Sequence, residues 1–135
     1  MKKLSVVVSV YNEEAALEQF YLETSRVLEQ IDWEYELLFI NDGSRDNSLG
    51  ILRDLSERDS RVEIVSFSRN FGHEAAMIAG IDYATGDGII CMDADLQHPP
   101  ACIPEIIRKF EDGFEVVSMV RTKNDSAGWF KNLAS

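Results

Sequence analysis

Two aspartates, Asp93 and Asp95, stand two residues apart directly after the apolar run 89–92. In extended backbone, residues two apart project to the same side, with Cα atoms about 6.5 Å apart. Two carboxylates this close repel each other unless one is protonated or a cation bridges them. Mg²⁺ or Mn²⁺ accepts carboxylate oxygens and keeps positions for phosphate oxygens. The pair therefore predicts a divalent metal site, to which Gln97, next on that side, would add a neutral oxygen ligand.

A turn is the competing interpretation of this pair, because aspartate is also common in turns and at helix caps. The prolines Pro99 and Pro100 precede a predicted helix, which Asp95 could help to begin. The position directly after a buried apolar strand favours the metal site over the turn.

The overall charge excludes some partners and leaves a phosphate ligand open. The chain has 135 residues and a formal net charge of −11, which argues against a nucleic-acid partner and against electrostatic docking on an anionic membrane. Neither G-x-x-x-x-G-K-[ST] nor a G-x-G-x-x-G after the first apolar run is present. If an acidic chain without these sequences binds phosphate, the paired aspartates at a strand end point to a diphosphate bridged by a metal ion.

The spacing of apolar residues predicts one α/β domain. Apolar runs predict strands near 4–10, 35–40, 62–67, 88–92 and 115–120. Helical spacing predicts helices near 13–30, 46–58, 73–84 and 103–110, with Asn12 as the first N-cap and Gly113 as the last stop. The helix over 73–84 is almost entirely apolar or small, so we expect it to be well buried. Alternating strands and helices predict a mostly parallel sheet with helices on both faces.

Polar residues cluster after four of these strands. The clusters are 11–13, 41–44, 68–73 and 93–97. Ligands of parallel sheets bind at the carboxyl ends of the strands, so we expect all four clusters to share one rim.

Several residues of these clusters have two interpretations. Tyr11 offers a flat face to a nucleobase or packs against the next helix. Asp42 accepts a hydrogen bond from a base N–H or forms an Asx turn, with Gly43 allowing close backbone approach. Arg69 holds a diphosphate oxygen or pairs with an acid.

The histidines and cysteines have simpler interpretations. We expect His73 and His98 to be capping or surface residues. Cys91 and Cys102 have no metal spacing and are predicted to be reduced packing residues, in keeping with a cytoplasmic protein.

Three segments of the chain resemble glycosyltransferase family 2. They are 6–14 (VVVSVYNEE), 40–48 (INDGSRDNS), and the stretch from 68–73 (SRNFGH) through 93–100 (DADLQHPP). The segments 69–72 and 93–97 are similar to the polyprenyl-phosphate hexose transferases, which include bactoprenol glucosyltransferases and dolichol-phosphate mannose synthases. Ser9 stands where many relatives have Pro, and His73 where they often have Lys.

The resemblance implies a GT-A fold and an inverting transfer of a hexose from a nucleotide-diphosphate sugar to a polyprenyl phosphate. UDP-glucose is the favoured donor, ahead of GDP-mannose and UDP-N-acetylglucosamine. The resemblance places the donor nucleoside against Val10, Tyr11, Glu13 and Asp42. It assigns Asp93 to the donor and metal region, and Asp95 with Gln97 to metal coordination.

Relatives continue beyond the length of this chain. We therefore expect residues 1–120 to be a nucleotide-sugar-binding core and 121–135 to begin an acceptor-side or membrane-proximal segment. Within it, 128–133 would begin a membrane-facing helix or pack against the domain. The general base is expected downstream of residue 135, and this chain should bind donor but transfer poorly. The longer enzyme would lie at the cytoplasmic face of the inner membrane; its oligomeric state is open, a homo-oligomer included.

Two other classes remain as alternatives. A sugar nucleotidyltransferase also combines metal, nucleotide and sugar, but it has a Gly-rich basic first loop that is absent after 4–10. A non-catalytic receiver-like module needs an acidic pair after the first strand and an aspartate at the end of the third, where Asn12, Glu13 and Ser68 stand.

Overall fold

A computed structural model describes residues 2–95, 100–111, 116–119 and 130–132, and gives side-chain surroundings for 2–95 and 100–108. The strands are β1 Lys3–Val10, β2 Glu34–Asn41, β3 Val62–Ser66, β4 Gly88–Asp93, β5 Val116–Met119 and β6 Phe130–Asn132. The helices are α1 Leu17–Leu28, α2 Ser48–Arg58, α3 His73–Tyr83 and α4 Ile103–Glu111, the last preceded by a 3₁₀ turn at Pro100–Cys102. Residues 96–99, which include Gln97 and His98, are not among the residues that the structure describes.

The strands form one sheet in the order β3-β2-β1-β4-β5-β6. The first five pair in parallel, and β6 joins antiparallel to β5. β1 lies between β2 and β4, and its register places Ser9 between Ile40 and Asp93. The predicted α/β class with a mostly parallel sheet is confirmed.

Helices pack on both faces of the sheet, as the apolar pattern predicts. Alternate residues of β1, β2 and β4 join α1, α2 and α4 in the larger core, in which Phe20 and Phe39 meet edge to face. On the other face α3 packs on Val7, Leu38 and Ile40. Cys91 lies in this second cluster, where burial raises the pKa of its thiol to about 12. Cys91 is thus an inert packing residue, and Cys102 is also a free, half-buried thiol.

Helix α1 begins later than the sequence predicts. It starts at Leu17 with Ala16 at the N-cap, so the prediction of Asn12 as the cap is wrong. Asn12 instead adopts a left-handed φ of 53°, and its side-chain oxygen accepts a hydrogen bond from the Arg45 N–H. Residues 13–16 form a turn in which the Glu13 carbonyl accepts the first helical bonds. The bond to Arg45 in the next loop thus takes the place of the helix-capping bond predicted for Asn12.

Helix α3 is less buried than predicted. Ala76, Met77 and Gly80 face the sheet, but Ile78 and Tyr83 are 62% and 63% exposed. Among the helices that the structure describes, α3 alone contacts this face, so only one stripe of it is covered. Apolar composition predicted a well-buried helix, and the structure buries only the stripe that faces the sheet.

The segment near the end of the chain is a strand where it is described. Of the two alternatives for 128–133, a membrane-facing helix does not hold at Phe130–Asn132, which forms β6. Residues 121–129 and 133–135 lie outside the description.

None of the helices described has the length and apolar character required to cross a bilayer.

Two loops at the carboxyl end of the sheet are tied together. Backbone N–H groups of residues 12–14, after β1, donate to side chains of residues 44–48, after β2. The bonds are Asn12 N to Ser44 Oγ at 3.0 Å, Glu13 N to Ser48 Oγ at 2.9 Å and Glu14 N to Asp46 Oδ2 at 3.2 Å. These contacts fix the loop that follows β1 without any ligand.

Asp46 holds both sides of this connection. Its carboxylate accepts from the Ser48 N–H at 2.9 Å as well as from the Glu14 N–H. Partial burial raises the pKa of Asp46, but the hydrogen bonds from Ser48 and Glu14 outweigh burial and hold the pKa below its usual 3.8. The ionised carboxylate is therefore the form that the folded loop stabilises.

Replacing Gly80 with alanine should destabilise the domain, since an added Cβ would lie 2.1 Å from Cγ1 of the fully buried Val7. Overpacking of this kind costs about 1–3 kcal/mol and should exceed the ~1 kcal/mol gained from helix propensity. Gly50→Ala is the matched control, because its Cβ meets only the side chain of exposed Asn47 and should leave stability equal or higher. Urea unfolding measures both; equal changes would contradict close α3–β1 packing.

Asp46→Asn should lower the free energy of unfolding by ~1 kcal/mol at pH 7, because an amide cannot accept from both N–H groups without turning a donor toward one of them. A folded pKa below 3.8 means that the stabilisation is present above about pH 3.8 and is lost as pH falls through the folded pKa. Urea unfolding at pH 7 and pH 3 should show the difference from the parent shrinking at pH 3. Asp32→Asn, an exposed position, carries the same charge change and should have no such effect.

Candidate functional site

A pocket of about 250 Å³ opens at the carboxyl ends of β1, β2 and β4. All of the residues that line it follow or end a strand, or begin α3: Ser9, Tyr11, Glu13, Asp42, Asn70, His73, Asp93 and Asp95. The four polar clusters therefore share one rim, as the parallel sheet requires. Pockets for drug-sized ligands span about 300–1,000 Å³, so a nucleotide sugar would extend beyond this pocket along the rim.

Asp93 and Asp95 both line this pocket, while Ala94 between them is fully buried in the core. Asp93 ends β4 and pairs in register with Ser9 of β1. The side chains thus alternate as they do in extended backbone. The two carboxylates share one cavity and do not point to opposite faces of the sheet.

Glu13 adds a third carboxylate to the same cavity. Burial raises its pKa, and the negative charges of Asp95, Asp93 and Asp46 raise it further. The cavity is therefore a region of negative potential in which an added cation would be stabilised.

These groups fit a hard divalent ion whose coordination shell is only partly supplied by protein. Carboxylate oxygens are ligands that Mg²⁺ and Mn²⁺ prefer. Within 2–95 and 100–108, no three His, Cys, Asp or Glu side chains are arranged to hold a metal by themselves. Asp93 and Asp95 would thus supply part of the shell, and phosphate or water oxygens the remainder. Gln97, the third predicted ligand, lies outside the described residues.

His73 makes contacts in the pocket that the sequence did not indicate. Its Nδ1 lies 3.3 Å from Ser9 Oγ and 3.3 Å from Asp93 Oδ1, and Ser9 Oγ is 3.5 Å from the same Asp93 oxygen. The imidazole is 57% exposed, so His73 is a surface residue as expected, but Gly72 occupies the N-cap of α3. Hydrolase triads use both ring nitrogens, one toward serine and one toward aspartate. Here one nitrogen serves both, so the trio is not such a triad.

Asp42 anchors the loop that precedes α3. It is only 3% exposed, and its carboxylate accepts from Phe71 N at 2.7 Å, Gly72 N at 3.1 Å and Asn70 Nδ2 at 3.1 Å. The Asx-type bond predicted for this turn is made by Asn41, whose Oδ1 accepts from Ser44 N. The described contacts leave one acceptor direction on Asp42 Oδ1 for a ligand. The contacts of Asp42 in this structure therefore serve mainly to hold the loop at the rim.

Gly43 allows this loop to approach. A Cβ there would lie 2.2 Å from the Arg69 carbonyl carbon and 2.4 Å from Asn70 N, and its φ of 69° is itself unfavourable for other residues. The sequence suggested that Gly43 allows a close backbone approach. In the structure, this approach is between the loop that contains Gly43 and the loop that contains Arg69 and Asn70.

Two predicted donor residues lie away from the pocket surface. Val10 is fully buried, and its carbonyl accepts from Asp42 N at 2.9 Å, so its side chain cannot touch a ligand. The Arg69 guanidinium stacks over the Phe71 ring at 4.7 Å and is not among the lining groups. Tyr11, in contrast, lines the pocket and is 43% exposed, as a ring that receives a base must be.

A larger depression, about 420 Å³, lies at the opposite end of the sheet. Lys3, Trp33, Tyr35 and Arg61 are among its lining residues. Its two cationic side chains are engaged within the protein, since Arg61 bonds to Asp59 and stacks on Tyr35 at 4.5 Å, and Lys3 Nζ lies 3.5 Å from Glu36 Oε1. Ligands of parallel sheets bind at the carboxyl ends of strands, so the smaller pocket is the candidate site.

Comparison with solved structures identifies the fold. Residues 1–349 of S. aureus TarS in complex with UDP-GlcNAc match with a TM-score of 0.63 and 18% identity, over 83% of this chain and 32% of that one. The mannosyltransferase PcManGT from Pyrobaculum calidifontis in complex with GDP-Man and Mn²⁺ matches with a TM-score of 0.60 and 21% identity, over 70% and 28% of the two chains. The chain has a GT-A fold, as expected.

Comparison with known sequences identifies the family. An uncharacterized glycosyltransferase of Bacillus subtilis (strain 168), YkcC, is 52% identical over 127 residues, which cover 94% of this chain and 39% of that protein. The family model for glycosyl transferase family 2 matches residues 5–135. These matches favour glycosyl transfer over the nucleotidyltransferase and receiver-like alternatives. The chain belongs to glycosyl transferase family 2.

Proposed function

We propose that this chain is the donor-binding domain of an inverting glycosyltransferase, which binds a nucleotide-diphosphate sugar through a divalent cation and passes the hexose to a polyprenyl phosphate. The observation that carries the proposal is the convergence of Asp93, Asp95 and Glu13 in one pocket at the carboxyl ends of the strands. Family membership and the nucleotide sugars bound by structural neighbours support it.

The cation would be Mg²⁺ or Mn²⁺, held by Asp93, Asp95 and Gln97. When bound, it stabilises the negative charge that develops on the leaving diphosphate. Mn²⁺ accompanies GDP-Man in one structural neighbour, which supports this choice of metal. Burial is the largest cause of the raised pKa of Glu13, and the charges of Asp95, Asp93 and Asp46 raise it further; a bound cation would neutralise this second contribution.

The remaining residues would position the donor. Tyr11, exposed at the rim, would stack on the base, and Glu13 would lie beside the nucleoside. Asp42 would offer its remaining acceptor direction to a base N–H while it holds the loop before α3. Val10 would contribute through backbone contacts alone. Arg69 would reach a diphosphate oxygen only after leaving the Phe71 ring. UDP-glucose is the proposed donor, before GDP-mannose and UDP-N-acetylglucosamine.

The acceptor would be a lipid phosphate. Such a phosphate is largely ionised near neutral pH and needs less help from a general base than an alcohol does. It still has to be held in line with the anomeric carbon, which requires an acceptor-side surface. The chain spans 39% of the length of the curated relative that it matches. We therefore assign acceptor binding and the base to the longer enzyme, acting at the cytoplasmic face of the membrane, and expect this chain alone to bind donor but transfer poorly.

Asp95→Ala should weaken Mn²⁺-dependent binding of UDP-glucose by at least about tenfold, because even groups that only orient metal ligands contribute 10–100-fold. Calorimetric titration in Mn²⁺ measures this loss, and chelation of the metal should abolish binding by the parent chain. Glu74→Ala is the matched control, since it removes an exposed carboxylate from the first turn of α3 that does not line the pocket.

Equal affinity of Asp95→Ala and the parent would remove the metal site from the proposal. Titrating GDP-mannose and UDP-N-acetylglucosamine in parallel ranks the donors. Rapid hexose transfer to polyprenyl phosphate by this chain alone would contradict the assignment of acceptor binding to the longer enzyme.

A further inference from the structure

The Asp93 carboxylate is held from two sides by the protein. Ser9 Oγ lies 3.5 Å and His73 Nδ1 3.3 Å from its Oδ1 atom. These two residues are also within 3.3 Å of each other, so the three polar groups form a closed triangle. Ser9 comes from β1, His73 from α3 and Asp93 from β4, so three elements meet at one carboxylate oxygen.

Both contacting groups have well-fixed positions. Ser9 is paired in the sheet with Asp93 itself and with Ile40 on the other side. His73 is the first residue of α3, directly after Gly72, whose N–H donates to Asp42. The backbones that carry the two contacting groups are therefore fixed, Ser9 by the sheet and His73 by the anchored start of a helix, although the imidazole itself is 57% exposed.

The available hydrogens favour one tautomer of His73. An ionised Asp93 only accepts hydrogen bonds, and the Ser9 hydroxyl has a single hydrogen to donate. A hydrogen on His73 Nδ1 provides the second donor toward Asp93 Oδ1. Separations of 3.3–3.5 Å lie at the long end of hydrogen bonding, so each contact is weak by itself, and the two act together on one carboxylate oxygen.

We propose that His73, together with Ser9, is a positioning residue that sets the orientation of the Asp93 carboxylate and thereby the affinity of the site for the metal–diphosphate unit. This inference rests on the proposed function, because it takes Asp93 as part of the metal and donor region. Groups that hydrogen-bond to a metal ligand fix its direction and typically change metal affinity 10–100-fold. The role depends on where the Nδ1–H group stands, not on a positive charge.

Four variants at His73 distinguish the effect of the position of its donor group from the effect of a positive charge. In His73→Asn the amide nitrogen can occupy the place of Nδ1, whereas in His73→Gln it lies one carbon further out, nearer the place of Nε2. His73→Ala removes the contact, and His73→Lys supplies a cation without the Nδ1 geometry. The measurement is the Mn²⁺ affinity of the whole chain at saturating UDP, followed by the electron paramagnetic resonance signal of free Mn²⁺.

We expect His73→Ala, His73→Gln and His73→Lys to weaken Mn²⁺ binding about tenfold, and His73→Asn to retain most of the affinity. Ser9→Ala should weaken it in the same direction, and its combination with His73→Ala should cost less than the product of the two effects, because both act on one carboxylate. Urea unfolding should be nearly unchanged for all His73 variants, since the imidazole is 57% exposed.

Three results would overturn the inference. Unchanged Mn²⁺ affinity in His73→Ala, with normal binding by the parent, removes the positioning role and leaves the proposed function intact. Restoration by His73→Lys but not by His73→Asn shows that charge and not geometry matters. No UDP-dependent Mn²⁺ binding by the parent chain removes the proposed function and this inference together.

Discussion

The parallel pairing of β1 with β2 on one side and β4 on the other is the constraint on which the site depends. Because all three strands run in the same direction, their carboxyl ends meet at one edge of the sheet. The register then sets Ser9 directly beside Asp93. Residues more than eighty positions apart in the sequence become neighbours through backbone hydrogen bonds alone. A shift of one residue in this register would turn Asp93 to the opposite face of the sheet.

Two acidic residues of the rim stabilise the folded loops through contacts that need no ligand. Asp42 binds three groups of the loop before α3, and Asp46 joins the loops after β1 and β2. Both carboxylates accept backbone N–H groups, which are strong bonds when the acceptor is charged. Gly43 lets the two loops touch by having no side chain. The conspicuous polar motifs thus encode loop geometry, and in the proposed function Asp42 would add contact with the donor to its loop contacts.

Much of this arrangement could be predicted from the sequence, because apolar periodicity reports burial on a sheet directly. The strand runs, their mostly parallel direction and the shared rim follow from it. The start of α1 could not be predicted, since Asn12 is diverted to the Arg45 N–H by a contact with a distant loop. The exposure of Ile78 also escaped prediction, because composition does not reveal that only one stripe of α3 meets the sheet. The contact of His73 with Ser9 and Asp93 requires the strand order, which local patterns do not contain.

The rigidity of the rim bears on why a cation suits this pocket. The Ser48 hydroxyl holds the Glu13 backbone N–H, the sheet holds Asp93, and the core holds Ala94. The backbone positions that carry the three carboxylates are therefore fixed around one pocket. Burial and then the charges of Asp95 and Asp93 raise the pKa of Glu13. A protein can respond to such a potential by binding protons or by binding a cation. In a preorganised site the cation meets carboxylates already in place, so little of its binding free energy is spent on ordering them. In the proposed function, negative charge that opposes a diphosphate would become, through the metal, the means of binding it.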